Sequence, residues 1–309
     1  MHRAYTGFLT AALILSIGAA LLLGSTHVDP HALIQANPEA WQLIINYRIP
    51  RITVAVVGGA MIGWSSVLLQ LVLRNRLVDA SILGMMNGAQ FLMICFIVLF
   101  PTFTSINVLL AGFFGVIISI GWRVVMPNQR TTMQLILMGI ATAMTFQSLT
   151  QLTTTGFGVP LPTLSTVTLS QTIQLLLILL IGLILLIIAW PHLKYFALSS
   201  EQLRMLKIPE AKTLYLVLGI VGLWSGAVTS LLGVIFFLGA ILPQLTRFIS
   251  PHAKSQALFI PTGLCGSLLL LNADTIARTI VAPTELSTGA VLLAISGPLF
   301  VLLLMKGGK

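Results

Sequence analysis

Long apolar runs, each closed by a short polar or charged interval, recur along the whole chain. Runs of this length suit helices that cross a hydrocarbon layer, whereas the strands of a membrane barrel would be shorter and alternate with period two. The pattern predicts spans at about 8–26, 51–70, 83–101, 106–123, 131–150, 171–190, 212–230, 233–247, 257–276 and 287–305. Short connections within 83–123 and 212–247 leave the count of those pairs open. The predicted fold class is all-α: a polytopic membrane protein with about ten transmembrane helices, forming one membrane domain over residues 1–309. Phe8–Gly24 follows His2 and Arg3 in the manner of a signal peptide, but the later spans favour a retained first helix.

Three stretches depart from the simple alternation. Gly58, Gly59 and Gly63, with Ala60, Ser65 and Ser66, make one face of the second span small, which lets a neighbouring backbone approach closely. Segment 151–170, QLTTTGFGVPLPTLSTVTLS, is too polar to span and too apolar for a free loop. It reads as an external re-entrant or surface-lying piece, either a constriction element or an irregular cap. Leu198–Lys212, LSSEQLRMLKIPEAK, is charged and lies between two apolar runs, so it belongs in water. It reads either as an ordinary loop or as a helical docking surface, capped by Ser199, Ser200, Glu201 and Gln202 and ended by Pro209.

Composition then narrows the class. Hydrophobic residues make up 57% of the chain, charged residues only 7%, and mean hydropathy is +1.03, values no soluble surface could carry. A net charge of +9 would suggest nucleic acid in a soluble protein, but here it must be read by location. With Arg3 and both termini in the cytoplasm, thirteen bases fall inside and only Arg48, Arg51 and Arg278 outside. That positive-inside bias accounts for most of the charge without nucleic acid. Asp274 and Arg278 are four apart and would pair on one helix face; an ionisable group at membrane depth could instead mark a proton or substrate path. His27 and His31 are too isolated for a metal site, Cys95 and Cys265 read as packing, and no nucleotide-binding or hydrolytic motif occurs, so neither cofactor nor catalysis is expected.

Two long blocks carry a family resemblance. YRIPRITVAVVGGAMIGWSSVLLQLVLRNRLVDASILGMMNGA at 47–89 has a basic-x-Pro-basic opening, a small-residue helix, a Gln-x-x-x-Arg-Asn turn and a Leu-Gly with a downstream Gly-Ala. The block at 232–300 has Pro-x-x-x-Arg, Ala-Asp-x-x-Ala-Arg and Pro-x-Glu-Leu-x-x-Gly elements. From Tyr47 to the C-terminus the chain resembles the FecCD-type permease subunits of bacterial ABC importers for iron-siderophores, heme and vitamin B12. It departs from the family's usual turns at Leu231–Ile235, at Pro243–Gln244 and at Asn75–Val78.

The resemblance implies a type II importer permease fold in the cell inner membrane and transport of a ferric siderophore, with heme or vitamin B12 as alternatives. It implies two ATP-binding subunits, a second permease that is identical or a sister, and a periplasmic or lipoprotein siderophore-binding protein. Arg48, Arg51 and Arg278 match the positions that receive acidic residues of that binding protein. Ser199, Glu201, Gln202, Arg204 and Lys207 lie in the loop that couples to the ATPase. A secondary transporter driven by an ion gradient would need buried ionisable groups near mid-membrane, and the spans offer almost none beyond Asp274. A structural subunit without transport is the third reading.

Overall fold

The computed structural model describes residues 2–24, 38–125, 132–196, 198, 200–250, 255–282 and 284–307. The described residues form helices joined by short turns, in order α1 (His2–Leu22), α2 (Pro38–Leu43), α3 (Ile49–Val72), α4 (Met85–Leu99), α5 (Asn107–Val125) and α6 (Thr132–Phe157). They continue with α7 (Leu169–Leu193), α8 (Ser200–Met205), α9 (Glu210–Leu232), α10 (Leu238–Ile249), α11 (Phe259–Thr279) and α12 (Thr288–Gly307). A π-helical turn, Ile44–Arg48, joins α2 to α3 without a break.

The expectation of about ten transmembrane helices is corrected: six helical stretches among the described residues are long and apolar enough to cross a membrane. They are Tyr5–Leu22, Trp41–Val72, Pro101–Trp122, Leu169–Leu193, Glu210–Leu232 and Gln256–Thr279, while Met85–Leu99 and Thr288–Leu302 are shorter apolar helices. The sequence overcounts for physical reasons. The run at 233–247 contains an extended turn followed by a helix of only 12 residues. Helix α6 has the length, at 26 residues, but Thr142, Thr145, Gln147, Ser148, Thr150 and Gln151 dilute its apolarity. Part of segment 151–170 also differs from expectation: residues through Phe157 continue α6. The remainder crosses the end of the bundle, with Leu164 and Val167 buried, and Thr168 and Gln171 form a reciprocal capping box that starts α7.

Two close crossings organise the bundle. In lipid the apolar environment gives helices little reason to associate, so contact depends on backbones approaching closely enough for dense van der Waals packing. Gly59 and Gly63 of α3 lie against the backbone of α11 at Gly266 and Thr262. Gly58 faces Val228 and Leu232 of α9 instead, so the small face of α3 serves two neighbours. The second crossing sets Gly115 of α5 against Gly222 of α9, and Gly226 against Ala111; a methyl at any of these glycines would run into a facing carbonyl. Ser267 adds a hydrogen bond of 2.7 Å to the Val56 carbonyl across the first crossing. Between the two crossings, Trp64 stacks on Phe259 with ring centroids 5.3 Å apart and tilts against Trp224 at 5.8 Å. Helices α3 and α9 are the centre of the molecule, and α6 packs chiefly on α4.

Gly219 lies on the same helix as Gly222 but has open space around it. Gly222→Leu should therefore abolish the monodisperse folded peak in detergent size-exclusion chromatography, whereas Gly219→Leu should keep it. Overpacking of this kind costs about 1–3 kcal/mol even where neighbours can shift, and a facing carbonyl cannot shift cheaply.

Candidate functional site

Charge collects at the two ends of the bundle. At one end the π-helical turn and the first turn of α3 carry Arg48 and Arg51, and the last turn of α11 carries Arg278. All three are buried, at 4%, 8% and 3% exposure, and the bundle turns them inward. Asp274, one turn before Arg278, is fully buried and pairs with Arg51 and Arg278. Arg51 Nη2 lies 2.8 Å from Asp274 Oδ1, and Arg51 Nε donates to both carboxylate oxygens at 3.0 and 3.1 Å. Arg278 Nε lies 3.1 Å from Asp274 Oδ2, and the Thr288 hydroxyl donates to Oδ1 at 3.0 Å. Arg51 Nη1 also meets Glu285 Oε2 at 2.7 Å. Arg48 donates from Nη1 to the Leu21 carbonyl at the end of α1. One carboxylate thus ties α3, α11 and α12 together, with Glu285 closing the loop between the last two.

These side chains surround a cavity of about 290 Å³, lined by Tyr47, Arg48, Arg51, Ser165, Arg278 and Glu285 among others. Arg48, Arg51 and Arg278 bring three guanidinium groups to its wall, beside the carboxylate of Glu285. Guanidinium forks match the geometry of carboxylates and phosphates.

At the other end, α8 projects beside the turn at residues 73–84. Arg74 Nη2 lies 3.4 Å from Glu210 Oε1 in a half-exposed pair, and Arg74 Nε donates to the Phe196 carbonyl at 3.4 Å. Leu203 and Phe196 are buried and anchor the loop, while Glu201, Gln202 and Lys207 are exposed. Met205 and Leu206 are exposed at 83% and 54%, an apolar pair at the tip of a charged loop. Ser199 lies outside the described residues, as does the side chain of Arg204. The predicted stop at Pro209 is displaced: α8 ends at Met205, Lys207 takes a left-handed backbone, and Pro209 stands at the start of α9.

The 73–84 turn holds a residue that sequence reasoning missed. Asp79, 2% exposed, accepts from Ser81 Oγ at 2.6 Å, Ala80 N at 2.8 Å and Ser66 Oγ at 3.2 Å. Ser81 Oγ in turn accepts from the Phe237 N–H at the start of α10. Gly239 of α10 lies so close that a methyl there would strike the Asp79 carboxylate and Ser66 Oγ. Burial pushes the Asp79 carboxyl up from the usual carboxylate range, opposed by the hydrogen bonds from Ser81, Ala80 and Ser66. Its partners are 2, 1 and 13 positions away around a turn, a pattern with no helical or strand period. Glu285 was missed as a site residue too, although it is the sole acid after Asp274 in the sequence.

Comparison with known proteins covers nearly the whole chain. The model of the FecCD transport family matches residues 12–306. IsdF of Staphylococcus aureus (strain MSSA476), named a probable heme-iron transport system permease protein, is 27% identical over 310 residues, covering 99% of this chain and 92% of that protein. FeuB of Bacillus subtilis (strain 168), an iron-uptake system permease protein, is 28% identical over 317 residues, covering 96% and 94%. A solved metal-chelate type ABC transporter in an inward-facing conformation shares the fold, with a TM-score of 0.81 at 24% identity over 98% of this chain and 99% of that one.

Two outcomes test this geometry. Asp274→Ala strands two buried guanidinium groups and should cost about 3–5 kcal/mol, well beyond Glu285→Ala, whose partner Arg51 keeps Asp274; thermal unfolding in detergent reads the difference. Asp79 has a raised folded value, so its contribution to stability is full below the ordinary carboxylate range and is lost as pH rises through that folded value. Asp79→Asn should therefore gain in unfolding temperature relative to the parent as pH rises above the ordinary range. A difference that stays constant with pH would show that Asp79 does not titrate in this way.

Proposed function

We propose, from the premise that this chain belongs to the FecCD transport family, that it is the membrane-spanning permease subunit of an ABC importer for iron held in an organic chelate. It is a transport component and not an enzyme, so ATP hydrolysis belongs to a partner. The near-complete match to permeases named for heme-iron and iron uptake carries the reading. Among cargoes, heme iron takes precedence over the ferric siderophore that the family resemblance alone put first, because the S. aureus relatives are named for heme-iron transport. Ferric siderophore stays as the second reading, supported by the iron-uptake relative.

The two charged ends divide the work. The α8 end faces the cytoplasm, together with both termini, in the cell inner membrane. Glu201, Gln202, Lys207, Met205 and Leu206 offer a mixed charged and apolar tip to an ATP-binding subunit, with Ser199 and Arg204 in the same loop. Two ATP-binding subunits then serve a pair of permeases, this chain with a copy or a sister. The arginine end faces outward and receives a binding protein: an acidic side chain from it enters the cavity at Arg48, Arg51 and Arg278, and opposite-charge complementarity fixes the register.

A contact route joins α8 to the middle of the bundle. Movement of α8 reaches Glu210 and Arg74, then the 73–84 turn, then Asp79 and Ser81, and through Ser81 the first turn of α10. Closure of the ATP-binding subunits on α8 would thus shift α10 against α3.

Proteoliposomes holding the permease, its ATPase and its cognate binding protein test the reading directly. ATP-dependent accumulation of heme is expected to exceed that of a ferric siderophore. Accumulation of neither, or uptake driven by an ion gradient without ATP, would contradict it. Met205→Glu should lower the amount transported per ATP hydrolysed several-fold while leaving assembly of the complex intact.

A further inference from the structure

We infer that Asp79 is held as the neutral acid, with its proton between Asp79 Oδ1 and Ser66 Oγ, and that α10 is a latch over that proton, which leaves only when the first turn of α10 lifts. The placement follows from counting hydrogens. Ser66 Oγ has one hydrogen and two acceptors within reach, the Ile62 carbonyl at 2.9 Å and Asp79 Oδ1 at 3.2 Å. The carbonyl one turn back is the nearer, and a helical serine hydroxyl commonly donates there. That hydrogen is then engaged, and two oxygens 3.2 Å apart face each other with nothing between them unless Asp79 supplies the hydrogen. The bond that a carboxylate would accept from Ser66 therefore runs the other way. Elsewhere the count closes without a further proton. Ser81 Oγ donates to Asp79 Oδ2 at 2.6 Å and accepts the Phe237 N–H at 3.3 Å, while the Ala80 N–H reaches Oδ1 at 2.8 Å.

The surroundings favour the neutral form. Asp79 is in no ion pair among the described residues. Helix α3 carries only Arg51, at its other end, and α4 and α6 carry no charged residue. In the turn, Arg74 pairs with Glu210 and Arg76 is exposed; Arg247 of α10 donates to Gln70 Oε1 at 3.2 Å. A buried carboxylate without a cation costs far more than a buried acid. Gly239 brings the backbone of α10 over the proton itself, since a methyl there would strike both Asp79 Oδ1 and Ser66 Oγ. The chain enters α10 through Gly233 and Phe237, both in left-handed backbone. A bulky residue held so is strained, and the bond from its N–H to Ser81 Oγ is the clasp that keeps it in place. Once α10 lifts, water reaches the carboxyl, the O–H bond breaks, and the proton passes to water to leave a solvated carboxylate. Linkage makes the two events reciprocal. The folded value is raised, so the closed latch is favoured below it and lost as pH rises through it. The protonation stands on the turn alone; its use in transport, as a proton-dependent step between α8 and α10, rests on the permease reading above.

The test uses the purified permease–ATPase complex in nanodiscs, without binding protein, cargo or ATP, so that its failure leaves the permease reading standing and the failure of transport leaves the latch standing. Infrared spectra of the parent minus Asp79→Asn are recorded as pH is raised. At neutral pH the difference should contain the carboxylic-acid C=O band and no carboxylate band, the first giving way to the second at higher pH. Ser66→Ala decides the position of the proton. If Ser66 accepts it, the substitution weakens proton affinity at Asp79 about fivefold, the effect of one neutral hydrogen bond; if Ser66 donated to a carboxylate, the same substitution would tighten it. Hydrogen–deuterium exchange over residues 234–242 reads the latch. Through the pH range in which the acid band disappears, exchange in the parent should outgrow that in Asp79→Asn, which cannot ionise. A carboxylate band at neutral pH, tighter proton binding in Ser66→Ala, or exchange that climbs equally in the parent and Asp79→Asn would each overturn the inference.

Discussion

The fully buried carboxylate of Asp274 is the interaction on which the arginine end depends. A chain with only 7 acidic residues among 309 places one of them at zero exposure and surrounds it with Arg51, Arg278 and Thr288. Taking a guanidinium out of water is expensive, and a pair repays the cost only when geometry is good and the remaining hydrogen bonds are made. Asp274 meets that condition for Arg51, whose Nε and Nη2 both reach it. It does so only in part for Arg278. That shortfall leaves Arg278 Nη2 without a hydrogen-bond partner among the described residues.

The same economy of polar groups governs the rest of the bundle. Because lipid offers helices no hydrophobic reason to associate, α3 with α11 and α5 with α9 meet through glycines and carbonyls. These crossings hold α3 and α9 as a fixed centre. The elements with fewer neighbours, α6 and α8, lie at the periphery. Rigidity at the centre and exposure at the edge suit a subunit that transmits force between partners.

How much of this was legible in the sequence depends on the range of the signal. Gly59 and Gly63 were readable as a close-approach face because three glycines and two serines fall in one short run. Gly115, Gly222 and Gly226 were not, since each is an isolated small residue within an apolar helix and only the partner helix shows why it must be small. The arginines at 48, 51 and 278 stood out as exceptions to the positive-inside tally, but the burial of Arg51 against Asp274 depends on a contact 223 positions apart. Asp79 was hidden by its place in a turn, where no period links it to Ser66. Helix number was overread because run length alone does not separate a full span from a half-length helix such as α10. The end of α8 was misread for a related reason: a left-handed Lys207 stops the helix where proline was the only visible breaker.

We propose that force enters this chain at one end and that a binding protein engages it at the other, at the arginine-lined cavity. Single-particle imaging of the permease assembled with its ATP-binding subunits and its cognate binding protein tests it most directly. The account predicts density for an ATP-binding subunit around Met205 and Leu206, and an acidic side chain of the binding protein within hydrogen-bond distance of Arg48 or Arg278. A binding protein seated away from this cavity, or an ATP-binding subunit that leaves α8 uncovered, would contradict it.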